Sequence, residues 1–472
     1  MPSILRLLAL ALLWVGGAAL LPALVSARNG EGQAPIFLAT TLACVFFAGA
    51  MRLSCAGVKV RMRRLHAFAA LAALWLLVPV VAAPAVAVAS GLDLWRAWFE
   101  ALSAFTTTGF TAVHEAPRSL YVWFALLQWS GGLLTIVSGV AVLAPAGLAG
   151  LPHRAQAGVD GLEIVDTAGV VRDIAPIYAA ATLLALIVLL ASGNSLYVAL
   201  CLASAATSSG AHVPPQAVEA LRTSVATPLA MVPFLLWSAT SVRWHRALVT
   251  RRIHAAPEQS ESVLLLGYWV VAAIVLGAII FRDPSDISVR ASLEMGVFSA
   301  ASLIATSGLV SGAEVYGIVP PALVLGMVLV GGGALSVTGG IKLLRLRAML
   351  LRAQGDLMRL ISPHLVQPAR TGEGGVGSAM RGVWIGLVSV LATLALTTIL
   401  MSISMPSLQA GITAAVAALT NSGPIYDAAN ADWPAISTLP PLSVLGAAFA
   451  MIAGRLETVG AFVLIHLAFW RS

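Results

Sequence analysis

The chain contains ten apolar segments that are each long enough to cross a lipid bilayer as a helix. A spanning helix needs ~20 apolar residues, because its backbone polar groups have to be satisfied within the helix. Only 10% of the residues are charged, against ~25% in a typical soluble domain. The sequence therefore predicts an all-α polytopic membrane protein. The predicted segments lie at about 4–25, 35–52, 67–90, 121–144, 174–192, 225–242, 263–281, 320–344, 380–403 and 441–467.

Basic residues are concentrated in alternate connections between these segments, notably at 52–64, 243–252 and 342–381. Short connections rich in Lys and Arg remain on the cytoplasmic side of a membrane, which predicts that both termini are cytoplasmic. The formal net charge of +7 is spread over separate loops, so we expect no nucleic-acid partner.

The first apolar segment allows two interpretations. The sequence LPALVSA ends near Ala27 in small residues of the kind that precede signal-peptide cleavage. Arg6 alone provides the basic start that a signal peptide requires. We favour a retained transmembrane helix and keep cleavage of residues 1–27 as the alternative.

Four further apolar segments are too short or too polar to be ordinary spans, and each leads into a turn rich in hydroxyl groups and glycine. They lie at 98–110, 197–211, 293–309 and 410–424. Aligned on one glycine each, the turns consist of Thr106, Thr107, Thr108 and Gly109; Thr207, Ser208, Ser209 and Gly210; Ala305, Thr306, Ser307 and Gly308; and Thr420, Asn421, Ser422 and Gly423. A hydroxyl residue precedes every aligned glycine. The pattern predicts a unit of span, short helix, turn and span that occurs four times.

These turns are candidates for an ion filter. Non-helical backbone at membrane depth is tolerated only inside protein or against water, and glycine permits backbone angles that direct carbonyl groups towards one axis. Four such turns can form a ring of oxygen atoms that replaces the hydration shell of a cation. The C-terminal ends of four short helices add partial negative charge. Four unrelated buried loops are the alternative interpretation.

The segment GGGALSVTGGIK, residues 331–342, interrupts the eighth apolar segment. It is not a Walker A loop, since Ile341 separates Gly340 from Lys342 and no Ser or Thr follows the lysine. Glycine weakens a helix by about 1 kcal/mol per residue relative to alanine, so the run predicts a broken helix. Close packing of helices through small residues is the alternative. The residues concerned are Gly331, Gly332, Gly333, Ser336, Thr338, Gly339 and Gly340.

Three motifs together resemble the TrkH family of the Trk/Ktr/HKT potassium transporter superfamily: FTTTGF in the first turn, GG…TGGIK at 331–342 and GRLE at 454–457. The resemblance covers about the whole chain. It implies four M1–pore helix–M2 repeats around a pseudo-fourfold pore, after two extra N-terminal transmembrane helices. The implied division is two helices at 1–64, repeat 1 at 65–150, repeat 2 at 151–255, repeat 3 at 256–370 with a gating loop at 331–340, and repeat 4 at 371–472.

The resemblance also implies a function. It predicts potassium uptake across the bacterial inner membrane, with K⁺ bound at the filter residues and flow limited by the 331–340 loop and by Arg455 beneath the filter. It implies a homodimer within membrane lipid and a cytosolic TrkA-like ring that binds the nucleotide, and the basic 342–381 loop is its expected docking surface. No cofactor is expected in this chain itself. A structural ion pair, or an arginine that reaches the membrane interface, is the alternative for Arg455.

Two residues depart from the pattern of the turns. Ala305 and Asn421 stand where other turns have hydroxyl groups, so a less selective pathway for sodium or ammonium is an alternative, as is a non-conducting membrane sensor. No H-E-x-x-H or G-x-S-x-G motif supports an enzyme. The GEGGVG run at 372–377 lacks the preceding strand of a dinucleotide site. The three cysteines are expected to be buried apolar residues.

Several charged residues near the turns are candidates for supporting roles. Glu100, in the first short helix, is expected to accept hydrogen bonds behind the filter. For His212, after the second turn, we favour an ordinary loop hydrogen bond over contact with cations. Lys342 is expected to mark the cytoplasmic end of the broken helix. Four acidic residues are predicted to lie outside, where concentrating cations at the entrance is one interpretation and ordinary solvated charges are the one that we favour for most of them: Glu115, Glu314, Asp427 and Asp432.

Overall fold

The structure, a computed structural model, describes residues 2–57, 64–143, 167–251, 259–283, 287–312, 315–361, 376–458 and 460. Within these ranges the chain forms α-helices and their connections, with a π-helical turn at Gly139–Leu143 and a 3-10 turn at Ile436–Thr438. No β-strand occurs in this part of the chain. The all-α prediction is confirmed.

Two N-terminal spans precede the first unit. Helices α1 (Pro2–Ala18) and α2 (Leu20–Asn29) run on as one span, and α3 (Ala34–Ser54) returns beside it. Gly16 permits the close approach, because a Cβ atom added there would lie 2.8 Å from the Cβ atom of Cys44. The hydroxyl group of Thr41 donates to the Gly16 carbonyl oxygen at 2.8 Å.

Four units of the predicted order follow. The first contains α4 (Arg64–Ser90), α5 (Leu94–Phe105) and α6 (Arg118–Ser138). The second contains α7 (Thr167–Ala191), α8 (Leu196–Ser208), α9 (Pro215–Thr223), α10 (Ala226–Ala239) and α11 (Val242–Val249). The third contains α12 (Gln259–Phe281), α13 (Val289–Ile304), α14 (Val315–Ile318), α15 (Pro321–Val330) and α16 (Leu343–Ile361). The fourth contains α17 (Val376–Ser402), α18 (Leu408–Thr420), α19 (Pro424–Ala429) and α20 (Pro441–Arg455).

The short helices α5, α8, α13 and α18 all begin at a side-chain cap. Asp93, Ser195, Ser288 and Ser407 accept a hydrogen bond from the backbone N–H three residues further on, at 3.0, 3.4, 3.3 and 3.2 Å. Such caps satisfy one of the N–H groups that a helix leaves free at its start. The caps therefore fix where each short helix begins relative to its turn.

Seven helices of the described part are long and apolar enough to cross a membrane, or eight if α9 and α10, bent by 107°, count as one. Of the two remaining predicted spans, 320–344 is interrupted, and 441–467 is helical up to Arg455, with residues 459 and 461–467 outside the described residues. Helix α15 stops at Val330 because Gly331 takes a φ of 65° and a ψ of −161°, and α20 stops at Arg455. Both interruptions lie beside the four turns.

Burial separates the short helices from the long ones. The long helices expose large apolar side chains such as Leu42 and Phe46, each 70% exposed, as expected of surfaces that face lipid. The short helices are buried among them. The three cysteines, Cys44, Cys55 and Cys201, are buried and free, which confirms the expectation that they are apolar packing residues.

Candidate ion filter and gating loop

The four turns that follow the short helices meet in one ring. The Gly423 N–H of the fourth turn donates to the Thr108 carbonyl of the first at 2.6 Å. The Ser209 hydroxyl of the second turn donates to the Ala305 carbonyl of the third. A Cβ atom added at Gly308 would lie 3.3 Å from the Ser422 carbonyl of the fourth turn. Neighbouring turns along the chain are thus neighbours around the ring.

The backbone of every turn repeats the same two features. One residue in each takes a left-handed conformation, with φ between 53° and 57°: Thr107, Ser209, Thr306 and Asn421. The N–H of the next residue then closes the short helix by bonding a carbonyl five residues back. These closing pairs are Thr108 to Ser103, Gly210 to Ala205, Ser307 to Ser302 and Ser422 to Ala417, at 2.8, 2.9, 3.0 and 2.9 Å.

This geometry corrects the predicted alignment of the second turn by one residue. Gly210 lies where the other turns have a hydroxyl residue, and Ala211 lies where they have glycine. Thr207 therefore belongs to helix α8, where its hydroxyl donates to the Ala203 carbonyl at 2.8 Å. The second turn comprises Ser208, Ser209, Gly210 and Ala211.

Glycine is required at the other three positions for two different reasons. Gly109 and Gly308 have φ values of 91° and 74°, which L side chains rarely adopt. Gly423 has an ordinary φ of −49°, but a Cβ atom there would lie 2.5 Å from the Phe110 nitrogen. The methyl group of Ala211 fills the space beside Gly109, 2.7 Å from where a Cβ atom of that glycine would stand.

Hydroxyl groups at the helix ends bond to their own helices. Thr106, Ser208 and Thr420 donate to the carbonyl four residues back, at 2.8, 2.6 and 2.8 Å. Ala305 lacks only this local bond, and its carbonyl still accepts from Ser209. Asn421 donates to the Thr108 hydroxyl at 2.9 Å and to the Met451 carbonyl at 3.0 Å. The two departures from the hydroxyl pattern therefore leave the ring of turns intact.

Buried polar groups support the ring from behind. Glu100 is fully buried and accepts from the Ala112 N–H at 2.7 Å, as predicted. Its second carboxylate oxygen lies 3.8 Å from Nε2 of His212. The backbone of His212 exchanges two hydrogen bonds with the Gln128 side chain, each at 3.2 Å. His212 is thus buried, with ordinary loop hydrogen bonds at its backbone and an imidazole ring that faces Glu100 and packs against the Phe124 ring.

A cavity of ≈ 980 Å³ opens from the ring on the side that the charge pattern predicts to be extracellular. Gly109 and Ala211 lie at its base, and the carboxylates of Glu219, Asp283 and Asp427 line it. Of the acidic residues predicted to face outside, Asp427 borders this cavity, Glu115 and Asp432 are not among its lining residues, and Glu314 lies outside the described residues.

The 331–342 loop packs against the opposite side of the ring. Its Gly339 N–H donates to the Thr306 hydroxyl at 2.9 Å, and a side chain at Gly339 would overlap the Thr420 carbonyl. Gly332 bonds the Thr338 hydroxyl through its N–H at 3.2 Å. The N–H groups of Gly333 and Val337 donate to the Ala239 and Ser238 carbonyls, at 2.8 and 3.1 Å. The predicted break in this helix is present, and the loop contacts the turns.

Arg455 joins the loop to the ring. Its side chain is 1% exposed; Nε donates to the Thr106 carbonyl at 2.7 Å, and the two terminal nitrogens donate to the Thr107 hydroxyl and the Val337 carbonyl. Glu457 forms its ion pair with Arg345 instead. Among the described residues Arg455 forms no ion pair, and its burial differs from that of an arginine at the membrane interface.

Lys342 does not lie at an exposed cytoplasmic end of the broken helix, so that prediction is wrong. Its φ of 78° turns the chain back, and the side chain is 5% exposed. The ammonium group donates to the Thr338 carbonyl and lies 3.3 Å from the Ser336 hydroxyl, which itself contacts Thr338 Oγ1 at 2.8 Å. Lys342 thus holds the inside of the loop.

Sequence reasoning missed Glu261. This residue lies in the first turn of α12, is 1% exposed, and accepts hydrogen bonds from the Ala334 and Leu344 N–H groups at 2.9 and 3.1 Å. An acidic residue just ahead of an apolar segment resembles an ordinary interfacial charge, so no local signal marks it.

Known proteins are similar to this chain in sequence and in fold. No protein-family model matches the chain. It is 28% identical over 398 residues to the Trk system potassium uptake protein TrkH of Halomonas elongata, covering 81% of each chain. It is 25% identical over 493 residues to the protein of the same name from Vibrio parahaemolyticus, covering 100% of this chain and 99% of the relative. The crystal structure of the potassium transporter TrkH from Vibrio parahaemolyticus shares the fold at a TM-score of 0.82 and 22% identity, with coverage of 100% and 99%.

Fold and site together define a multi-pass α-helical membrane protein in which a ring of four turns is closed on one side by a buried loop. The similarity to several TrkH proteins over most of the chain, with the shared fold, confirms the predicted resemblance. In sequence and fold the chain is thus similar to TrkH potassium uptake proteins.

Proposed function

We propose that this protein takes up potassium across the bacterial inner membrane through the ring of turns. The observation that carries the proposal is the position of Arg455, whose guanidinium group bonds the first turn and the loop at once. The potassium uptake named for its relatives supports the choice of ion. Backbone carbonyls supply the sites for K⁺, and both termini are cytoplasmic in this proposal.

Flow is limited by the loop and by Arg455. The loop residues 331–340 and the guanidinium group occupy the space directly beneath the turns, and a positive charge there opposes a cation. Gated permeation is favoured over a proton relay, because the buried carboxylates of Glu100 and Glu261 are engaged by backbone N–H groups. The K⁺ at the turns is the transported substrate, and no cofactor is required in this chain.

A cytosolic nucleotide-binding ring of the TrkA kind is the proposed regulator, and a homodimer the proposed assembly. Helix α16 supports a docking surface in the 342–381 region, because it combines basic residues with large apolar side chains such as Leu350 and Leu360, 62% and 80% exposed. Residues 362–375 of that region lie outside the described residues.

Rubidium uptake tests the function in bacteria that lack their own potassium uptake systems. We expect uptake that potassium displaces more strongly than sodium or ammonium does. Equal displacement by sodium would favour the less selective cation pathway. Absence of uptake both with and without a co-expressed TrkA-like subunit would favour a non-conducting sensor and contradict the proposal.

A further inference from the structure

Glu261 touches the loop at two distant points of the chain. One carboxylate oxygen accepts from the Ala334 N–H, near the start of the loop, and from the Leu344 N–H, just beyond its end. Both bonds, at 2.9 and 3.1 Å, reach the same atom. A single side chain from α12 therefore holds the start and the end of the loop close together.

The surroundings make this contact strong. Glu261 is 1% exposed, and hydrogen bonds from backbone N–H groups to a buried carboxylate are stronger than those between neutral groups. Leu344 is the second residue of α16, so its N–H is one of those that a helix cannot satisfy itself. The partial positive charge at this helix start also favours a carboxylate.

We propose that Glu261 is a positioning residue that anchors both ends of the 331–342 loop and thereby holds the loop against the ring. The inference rests on the proposed function of the loop as a gate. It adds a second fixing point to Arg455, from the side remote from the turns. Arg455 ties the middle of the loop to the first turn, whereas Glu261 ties its two ends to α12.

Access to a thiol in the loop tests the anchor without any assumption about the transported ion. Val337, 1% exposed, is replaced by cysteine, and the rate of modification by a thiol reagent is measured in inside-out membranes. Protein without the added thiol gives the background of the three buried native cysteines. Glu261→Ala is expected to raise the modification rate at least about a hundredfold, because two N–H groups lose a charged acceptor.

Two variants separate anchoring from loss of charge. Glu261→Gln retains an oxygen acceptor and should raise the rate clearly less than Glu261→Ala does, since a neutral acceptor is roughly half as strong. Glu261→Asp is shorter by one methylene group and cannot reach both N–H groups, so its rate should exceed that of Glu261→Gln. Asp173→Ala is the matched control, because this carboxylate of α7 is 44% exposed in a surface ion pair with Arg246.

Unchanged access in Glu261→Ala would overturn the inference. If that variant does not accumulate in membranes, equal rates for Glu261→Asp and Glu261→Gln would overturn it instead. Rubidium uptake is measured in the same membranes. A raised modification rate without raised uptake would support the anchor and contradict the loop as a gate, so the two proposals fail separately.

Discussion

Replacing Arg455 by alanine should increase cation uptake. Among the three hydrogen bonds of the guanidinium group, the one to the Val337 carbonyl reaches the loop, and the others reach Thr106 and Thr107. A hydrogen bond to a charged group contributes about 1.5–3 kcal/mol, and each 1.4 kcal/mol is about a factor of ten in an equilibrium. The closed position of the loop should therefore lose a factor of about ten to a hundred.

Two contacts limit this effect. The Gly339 N–H still bonds the Thr306 hydroxyl, and the Val337 N–H still bonds the Ser238 carbonyl. The loop is thus loosened in Arg455→Ala but remains attached. Loss of the positive charge beside the Thr106 carbonyl acts in the same direction, because it removes a repulsion on a cation leaving the turns.

Initial rates of rubidium uptake measure the effect, at equal amounts of protein in the membrane. Arg455→Lys is the matched control, since it keeps the charge but one ammonium group cannot reach the three oxygen atoms together. We expect uptake in the order alanine, lysine, parent. Uptake by Arg455→Ala at or below the parent rate would refute the reasoning.

Three further substitutions test the ring and the loop. Gly109→Ser should lower the discrimination between potassium and sodium by about tenfold in competition assays, because a serine is strained at this φ of 91° and its Cβ atom meets Ala211. Unchanged discrimination would contradict the assignment of this turn to the filter. Ala305→Ser restores only a bond within α13 and should leave that discrimination within about twofold of the parent, whereas a large gain would mean that the missing hydroxyl had loosened the filter. Lys342→Met should raise uptake, but less than Arg455→Ala does, because the ammonium group of Lys342 bonds Ser336 and Thr338 within the loop; a reversed order would place the main restraint at Lys342.

The four turns were predictable because their signal is local. A short apolar helix, hydroxyl residues and a glycine describe each turn without knowledge of its neighbours. The second turn was misaligned by one residue because glycine served as the reference, and Gly210 occupies a position that other turns fill with Thr or Ser. The separation between the N-cap and the end of the short helix gives the correct register of the second turn, since Asp93 to Thr106, Ser195 to Ser208 and Ser407 to Thr420 are equally long, whereas Ser288 to Ala305 in the third unit is longer by one helical turn.

The charged residues around the loop were predictable only in part. An arginine inside an apolar segment indicates function at any position, because its burial is costly, and Arg455 was recognised on that basis. Lys342 and Glu261 lie at the ends of apolar segments, where charges are common. Their inward direction depends on a left-handed backbone at Lys342 and on the packing of α12 beside the loop, which no local pattern encodes.

The most direct test of the account uses purified protein in liposomes. Rubidium uptake is measured for the parent and for Arg455→Ala, with external potassium or sodium as competitor. The account predicts uptake by the alanine variant that potassium inhibits at lower concentration than sodium, and slower uptake by the parent with the same preference. No uptake by either protein, or equal inhibition by the two ions, would contradict a potassium pathway through the ring of turns.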